Sequence, residues 1–337
     1  MGALHPGRAR EATPITRFCV SIAGPPESPS QGASAPPHSS VVAMLLAAQL
    51  AIVGMAIYAI GGAPSAWGMH QVAFAAAPIS PIPAGAGPHV VIDDADSRVL
   101  VGTSSDGFVH VHDLTEMRGA VFSNQPYPRL NVTRTLEGVR IERPNVGRLA
   151  VEIFGFSTQR IAVDVPQDSR VEIARCSGAD INGIAGGVDV HSVDGHVTLS
   201  DLQGSVTARS DDGYIEAANL RSDRLAMSSV NGHLGLTDVT VRSLLGTTRD
   251  GRIIAKGLSV GEDGTLETGD GSVRVAFAQN SNLTIDASTR DGAISVDGTS
   301  TDSDDSAQRT IRLGAGTGRV KLATDDGSIH ILTNGAQ

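Results

Sequence analysis

The chain has 337 residues, a formal net charge of −10, 39 glycines, 3 % aromatic and 18 % charged residues. Phosphate recognition needs clustered Lys and Arg, so this balance speaks against nucleic acid as a partner. Scarce aromatics leave Val, Ile, Leu and Ala to fill thin core layers between many tight turns, which suits a stacked β architecture rather than a helical bundle.

Residues 1–40 are rich in Pro, Ser, Ala and Gly without a hydrophobic period, and read as a disordered cytoplasmic segment. Residues 41–60 follow, with Gln49 as the only clearly polar side chain. About twenty apolar residues cross a hydrocarbon core of roughly 30 Å, so one transmembrane helix is expected over 41–62. Arg8, Arg10 and Arg17 precede it, and no Lys or Arg follows until Arg98. That asymmetry puts the N-terminus in the cytoplasm and the long C-terminal part outside a bacterial membrane, crossed once. Tyr58 and Trp67 fit interfacial anchors.

A cleaved signal peptide is the rival reading. Ala73, Phe74 and Ala75 have the small-x-small spacing of a cleavage site, and Met44 offers a second start. The apolar run is longer than a signal core, and a start at Met44 lacks a positive n-region, so a retained anchor is favoured. Both readings export the domain; the cleaved form is secreted. Residues 63–90, with Gly, Ala and repeated Pro, read as a flexible linker. Cys19 and Cys176 flank the span and cannot pair across it, and two such cysteines make no metal pattern.

The rest of the chain repeats. Asp-Gly or Asn-Gly pairs stand at Asp106, Asp194, Asp212, Asn231, Asp250, Asp270, Asp291 and Asp326, and from Gly195 to Gly292 the glycine spacings are 18, 19, 19, 20 and 21. Two and four residues after each glycine come apolar pairs such as Val197/Leu199, Ile253/Ala255 and Ile329/Ile331; all sixteen such positions are apolar. Period-two alternation makes each post-turn segment a strand with one buried face. Seven residues before the glycine the column continues with Leu100, Val188, Val206, Leu225, Leu244, Ile285 and Val320, broken only at Gly264.

Each unit is therefore strand, Asp-Gly turn, strand, second turn. One unit cannot bury its apolar face alone, and stacked copies can. The expected fold is all-β: a β-solenoid, parallel β-helix-like, of about 18–21-residue coils over residues 91–335. In this reading glycine supplies a positive φ and Asp caps the turn through nearby backbone N–H groups. The competing arrangement is a run of antiparallel hairpins, which Asp-Gly also favours. Residues 118–150 break the repeat, with Pro126, Pro128 and Pro144, and read as an excursion.

The recurrent Ser/Thr-x-Asp-Gly-x-Val/Ile-x-Val/Leu unit resembles the bacterial family of unknown function labelled putative adhesin. The likeness is carried by residues 161–173 (IAVDVPQDSRVEI), the coils of 188–296, and residues 313–331 (LGAGTGRVKLATDDGSIHI). The resemblance implies a β-solenoid in an envelope protein, often behind one membrane span, and no established activity.

Stacking would bring Asp194, Asp212, Asp250, Asp270 and Asp291 into one column. A calcium ladder needs several oxygens per ion, whereas each unit offers mainly one aspartate and turn chemistry accounts for it. His110 with His112, and His191 with His196, lack an identifiable third metal ligand. Ser192 and Ser210 have no His–Asp partners, and Arg249 and Arg290 directly precede turns. No nucleophile elbow, phosphate loop or dinucleotide fingerprint occurs. Asn131 with Thr133 and Asn282 with Thr284 match a glycosylation pattern short enough to arise by chance. No catalytic, cofactor or metal residue is therefore assigned.

The expectation is a non-catalytic, membrane-anchored envelope protein displaying its solenoid for surface, adhesive or protein–protein contact, with an envelope protein or surface glycan as partner. A sensor signalling through the N-terminal segment is the alternative. A polysaccharide-acting β-helix enzyme ranks behind both.

Overall fold

A computed structural model describes residues 68–74, 78–123, 127–144, 150–301 and 306–333. The expected disordered segment, membrane helix and Trp67 anchor lie outside the described residues. Among those described there is no helix, and so none long and apolar enough to cross a membrane.

The repeats build two parallel sheets, one on each side of the Asp-Gly turns. Before the turns run Val188–Ser192, Val206–Ser210, Arg221–Asn231, Thr240–Asp250 and the second half of Ile253–Asp270, each parallel to the next. After the turns run Val197–Ser200, Ile215–Ala218, Leu234–Thr237, the first half of Ile253–Asp270 and Val273–Phe277, again parallel. Each coil therefore adds one strand to both sheets, which is the solenoid and not a run of hairpins.

Inward positions alternate with outward ones, so a coil buries two apolar pairs, such as Leu225/Met227 and Leu234/Leu236, with a glycine replacing one member in the pairs Leu244/Gly246 and Gly264/Leu266. A third apolar column forms at the second turn, where Ile184, Leu202, Leu220, Val239 and Leu258 are each 0 % exposed. The residues just before them are Gly183, Asp201, Asn219, Asp238 and Gly257, all left-handed, with φ between 53° and 79°. Asn, Asp and Gly tolerate that conformation best, which explains the composition of the corner.

The coils do not stack in strict chain order. Gly318–Asp326 lies between Ile253–Asp270 and Leu283–Asp291, and Ile329–Leu332 lies between Val273–Phe277 and Ile294–Val296. The C-terminal coil is thus inserted one place in from the end. The N-terminal coil does the same: His89–Asp93 sits between Gly138–Glu142 and Arg170–Cys176, and Arg98–Ser104 between Arg160–Pro166 and Gly178–Asn182. Antiparallel pairing appears at the ends, where Asn131–Arg134, Phe108–Asp113, Ala307–Leu313 and Thr299–Thr301 cover the last parallel strands. Short or antiparallel caps of this kind blunt the exposed sheet edges.

Two expectations change. The linker 63–90 carries strands Gly68–Phe74 and Ile82–Pro83. Gly68–Phe74 pairs with Glu116–Ser123, which pairs with Ala150–Thr158, so part of the excursion forms a separate three-stranded antiparallel sheet. Asp106-Gly107 also leaves the repeat. Its two flanking strands lie on either side of Arg160–Pro166, and the turn bridges that strand.

The turns are held by close backbone approach. A Cβ on Gly213, Gly232, Gly251 or Gly271 would overlap the carbonyl oxygen of the turn glycine one coil back, and one on Gly327 or Gly292 meets the same obstacle in the order 271, 327, 292. Glycine is needed at all six for room, and at Gly271, Gly292 and Gly327, with φ of 157°, 151° and 151°, for the positive φ as well. Above each contact the Ser or Thr three residues before the glycine turns inward. Ser229 donates to the Gly213 carbonyl at 2.9 Å, Thr248 to Gly232 at 2.9 Å, Thr268 to Gly251 at 2.8 Å and Thr289 to Gly327 at 3.0 Å. These hydroxyls are buried, with Thr248 6 % exposed. These hydroxyls tie one coil to the next, and Ser192 also caps its own turn by accepting from the Gly195 N–H at 3.1 Å. Asp106, outside the column, caps its turn by accepting from the Phe108 N–H at 3.1 Å.

A buried ionic latch ties the excursion to the first coil. The Arg143 guanidinium donates to Asp94 at 2.7 Å, to Asp113 at 3.1 Å and to the Pro128 carbonyl at 2.9 Å. Its side chain is 4 % exposed and both carboxylates 3 %. The Tyr127 ring lies 4.9 Å over the guanidinium, and burial pushes its phenol well above the usual range. Ser97 donates a further bond to Asp94 at 2.8 Å.

Gly232→Ala is expected to lower the unfolding free energy by about 2–4 kcal/mol, because backbone cannot yield as a side chain can. Gly261→Ala, whose Cβ would meet nothing nearer than 3.6 Å, should stay within about 0.5 kcal/mol in the same denaturant titration. Arg143→Met strands two buried carboxylates and should cost about 3–5 kcal/mol. Arg175→Met, which removes an exposed pair with Asp93, should cost no more than about 1 kcal/mol.

Candidate functional site

Drawing each Ser or Thr inward leaves a trough on the outside of the first sheet. Its two sides are the residues just before and just after that hydroxyl. His191, Arg209, Ser228, Thr247, Glu267 and Ser288 form one side; Asp211, Val230, Arg249, Gly269, Asp325 and Arg290 form the other. The trough is an open groove of about 920 Å³ running across seven coils. At about 4.8 Å between neighbouring strands, six steps make it roughly 29 Å long. Ser228, Thr247 and Gly269 keep its middle shallow and unobstructed.

Polar and charged groups line it in pairs. His191 lies 3.6 Å from Asp211, Arg290 3.0 Å from Asp325, and Lys321 2.5 Å from Glu267. Arg249 is 3.3 Å from Asp250 at the groove margin. Exposed pairs such as these contribute about 0–1 kcal/mol each, so they remain open to exchange with a partner's charges. A second, smaller groove of about 540 Å³ follows the left-handed corner, lined by Asp201, Gln203, Asn219, Arg221, Asp238 and Thr240 among others.

The aspartate column exists, in a different order from the chain. Asn231, Asp250, Asp270, Asp326 and Asp291 occupy successive register positions beside the groove, and Asp212 accepts from the Asn231 amide at 2.6 Å. No three His, Cys, Asp or Glu side chains among the described residues gather in a way that could hold a metal ion. His110 pairs with its own turn's Asp106 at 2.9 Å rather than joining His112. His191 and His196 reach separately to Asp211 and Glu216 of the next coil. His196, Tyr214 and His233 form a ring ladder across three coils, with centroids 4.4 and 4.9 Å apart.

Ser192 and Ser210 are buried and spend their hydroxyls on the Gly195 carbonyl, each at 3.4 Å. Cys176 is buried and unpaired, and desolvation pushes its thiol up, away from thiolate chemistry. Asn282 is occupied too, its carbonyl accepting from the Ala315 N–H at 2.9 Å. Asp180 is held below the usual carboxylate range: burial raises it, and the two bonds from Arg98 at 2.9 and 2.8 Å outweigh burial.

Sequence reasoning missed the groove and the left-handed corner. The signal for the corner was available, as Gly183, Asp201, Asn219, Asp238 and Gly257 recur every 18 or 19 residues before an aliphatic residue. The groove had none, because it depends on which of two adjacent polar side chains turns inward.

No curated protein matches the chain. A putative cell adhesion protein from Clostridium sporogenes aligns with 79 % of this chain and 98 % of its own, at 12 % identity and a TM-score of 0.24. A putative adhesin from Bacteroides fragilis aligns with 76 % of this chain and 95 % of its own, at 11 % identity and a TM-score of 0.34. The family model Toastrack DUF4097 matches residues 92–332, the whole span from the first coil to the last. The chain belongs to the Toastrack DUF4097 family.

Proposed function

We propose that the chain is a non-catalytic, membrane-anchored envelope protein that holds a partner along the groove of its first sheet. The observation that carries this reading is the groove itself. It crosses seven coils, is floored by short polar side chains and is flanked by exposed, exchangeable ion pairs. A solenoid offers such a face with its backbone already in place, so binding costs only the ordering of the lining side chains.

The same geometry argues against catalysis. A general acid or base works best desolvated and close to its partner group. Asp211 and Asp325 are exposed and already paired with His191 and Arg290. The retained anchor is supported by Gly68–Phe74, which pairs residue for residue with Glu116–Ser123. Cleavage after Ala75 would strip that strand from the domain. With residues 41–60 as the span, the solenoid faces outward from the membrane.

Ser228→Trp with Thr247→Trp fills the middle of the groove without touching the core. The full chain in detergent is expected to capture isolated envelope fractions, and the double variant to capture about tenfold less, a loss near 1.4 kcal/mol. Equal capture by the two proteins, at matched unfolding midpoints, would rule the groove out.

A further inference from the structure

We propose that Asn231-Gly232 is a self-modifying site, at which the asparagine amide is lost through a cyclic imide to leave aspartate or isoaspartate. The site does not depend on what the groove holds.

In the turn column of Asp194, Asp212, Asp250, Asp270, Asp291 and Asp326, Asn231 alone carries an amide. An amide carbon accepts a nucleophile far more readily than a carboxylate does. A following glycine, with no Cβ, leaves its backbone nitrogen unshielded for that attack.

Two Asn-Gly pairs lie among the described residues, Asn182-Gly183 and Asn231-Gly232, and both asparagines are exposed. They differ in what holds them. The Gly183 N–H donates to the Ser200 carbonyl at 3.1 Å, so its nitrogen is occupied. Gly251, Gly271 and Gly327 likewise donate to the backbone carbonyls of Asp270, Asp326 and Asp291 at 3.0, 2.9 and 2.8 Å. Gly232 makes no such bond among the described residues.

The amides differ too. The Asn231 Nδ2 donates to Asp212 at 2.6 Å, and its Oδ1 accepts from the Arg249 guanidinium at 3.4 Å. A cation at that oxygen stabilises the negative charge that develops when nitrogen adds to Cγ. The Asn182 Nδ2 is held by Ser200 at 2.7 Å and Asp201 at 3.3 Å, and no donor among the described residues reaches its oxygen.

The reaction needs water alone. The Gly232 nitrogen gives up its proton and bonds to the Asn231 Cγ; the Cγ–Nδ2 bond breaks and Nδ2 leaves as ammonia. Water then opens the ring. Breaking the new N–Cγ bond yields aspartate, and breaking the original peptide C–N bond yields isoaspartate, with the chain running through the side chain. Either product puts a carboxylate where the amide now donates to Asp212. Isoaspartate also adds a backbone carbon beside Gly232, whose Cα already meets the Gly213 carbonyl. The middle of the stack therefore loosens as the molecule ages.

The full chain in detergent, held folded at mildly alkaline pH, is digested at intervals and its peptides weighed. Peptide mapping also separates Asn334-Gly335, which lies outside the described residues. The amide-to-acid mass gain is expected at Asn231 about tenfold faster than at Asn182, a barrier difference near 1.4 kcal/mol. Arg249→Gln, a change at an exposed side chain, should slow conversion at Asn231 several-fold at an unchanged unfolding midpoint and leave Asn182 as it was. In urea, where the chain is unfolded, the two rates should converge. Equal rates in the folded chain, the same difference kept in urea, or an Arg249→Gln rate matching the parent's would overturn the proposal.

Discussion

The structure depends on one repeated contact, the turn-glycine carbonyl of one coil against the bare Cα of the next. A side chain there would collide with backbone, so glycine recurs at the Asp-Gly and Asn-Gly turns from Gly213 to Gly327. The carbonyl at that point is half-buried beneath the next coil and takes its donor from the Ser or Thr three residues before the next glycine. Leaving such an acceptor unpaired costs about 1–3 kcal/mol, so the hydroxyl and the glycine act as a unit. The same inward turn of the hydroxyl opens the groove outside. Stacking and surface thus follow from a single local event.

How the ends are finished follows from what a solenoid lacks. A stack of parallel strands has two open edges per sheet, and each invites another strand. Here the N- and C-terminal coils are each held between two others, and antiparallel strands close over the outermost positions. Arg143, buried with Asp94 and Asp113, fastens the excursion beside the first of these ends. Buried ion pairs rarely add net stability, but they penalise wrong arrangements heavily. At an end where coils are not stacked in chain order, that penalty specifies which coil goes where.

Much of this was legible in the chain. The sixteen apolar positions after the turns become buried or half-buried strand residues, and the period of 18 to 21 sets the coil. Parallel stacking followed from the aligned columns. What was not legible has physical reasons. The insertion of Gly318–Asp326 between earlier strands depends on edges competing for the same partner, and the Asp326 coil is similar enough to the others to sit anywhere in the stack. Asp106-Gly107 has the local chemistry of the other turns, yet it bridges a strand because of pairing far along the chain. The division of labour between Asp and Ser/Thr was hidden because both residues cap turns well in isolation. The strand Gly68–Phe74 lay in a segment whose Gly, Ala and Pro content resembles a linker.

For function, the consequence is a rigid face with a fixed repeat. The central claim is that the inward hydroxyl holds the glycine contact together. Thr248→Val tests it most directly, since valine keeps the shape and β-branching and removes the donor to Gly232. In a denaturant titration of the full chain, the account predicts a loss of about 1–3 kcal/mol, with Thr248→Ser close to the parent protein. A valine variant as stable as the parent, or more so, would contradict it.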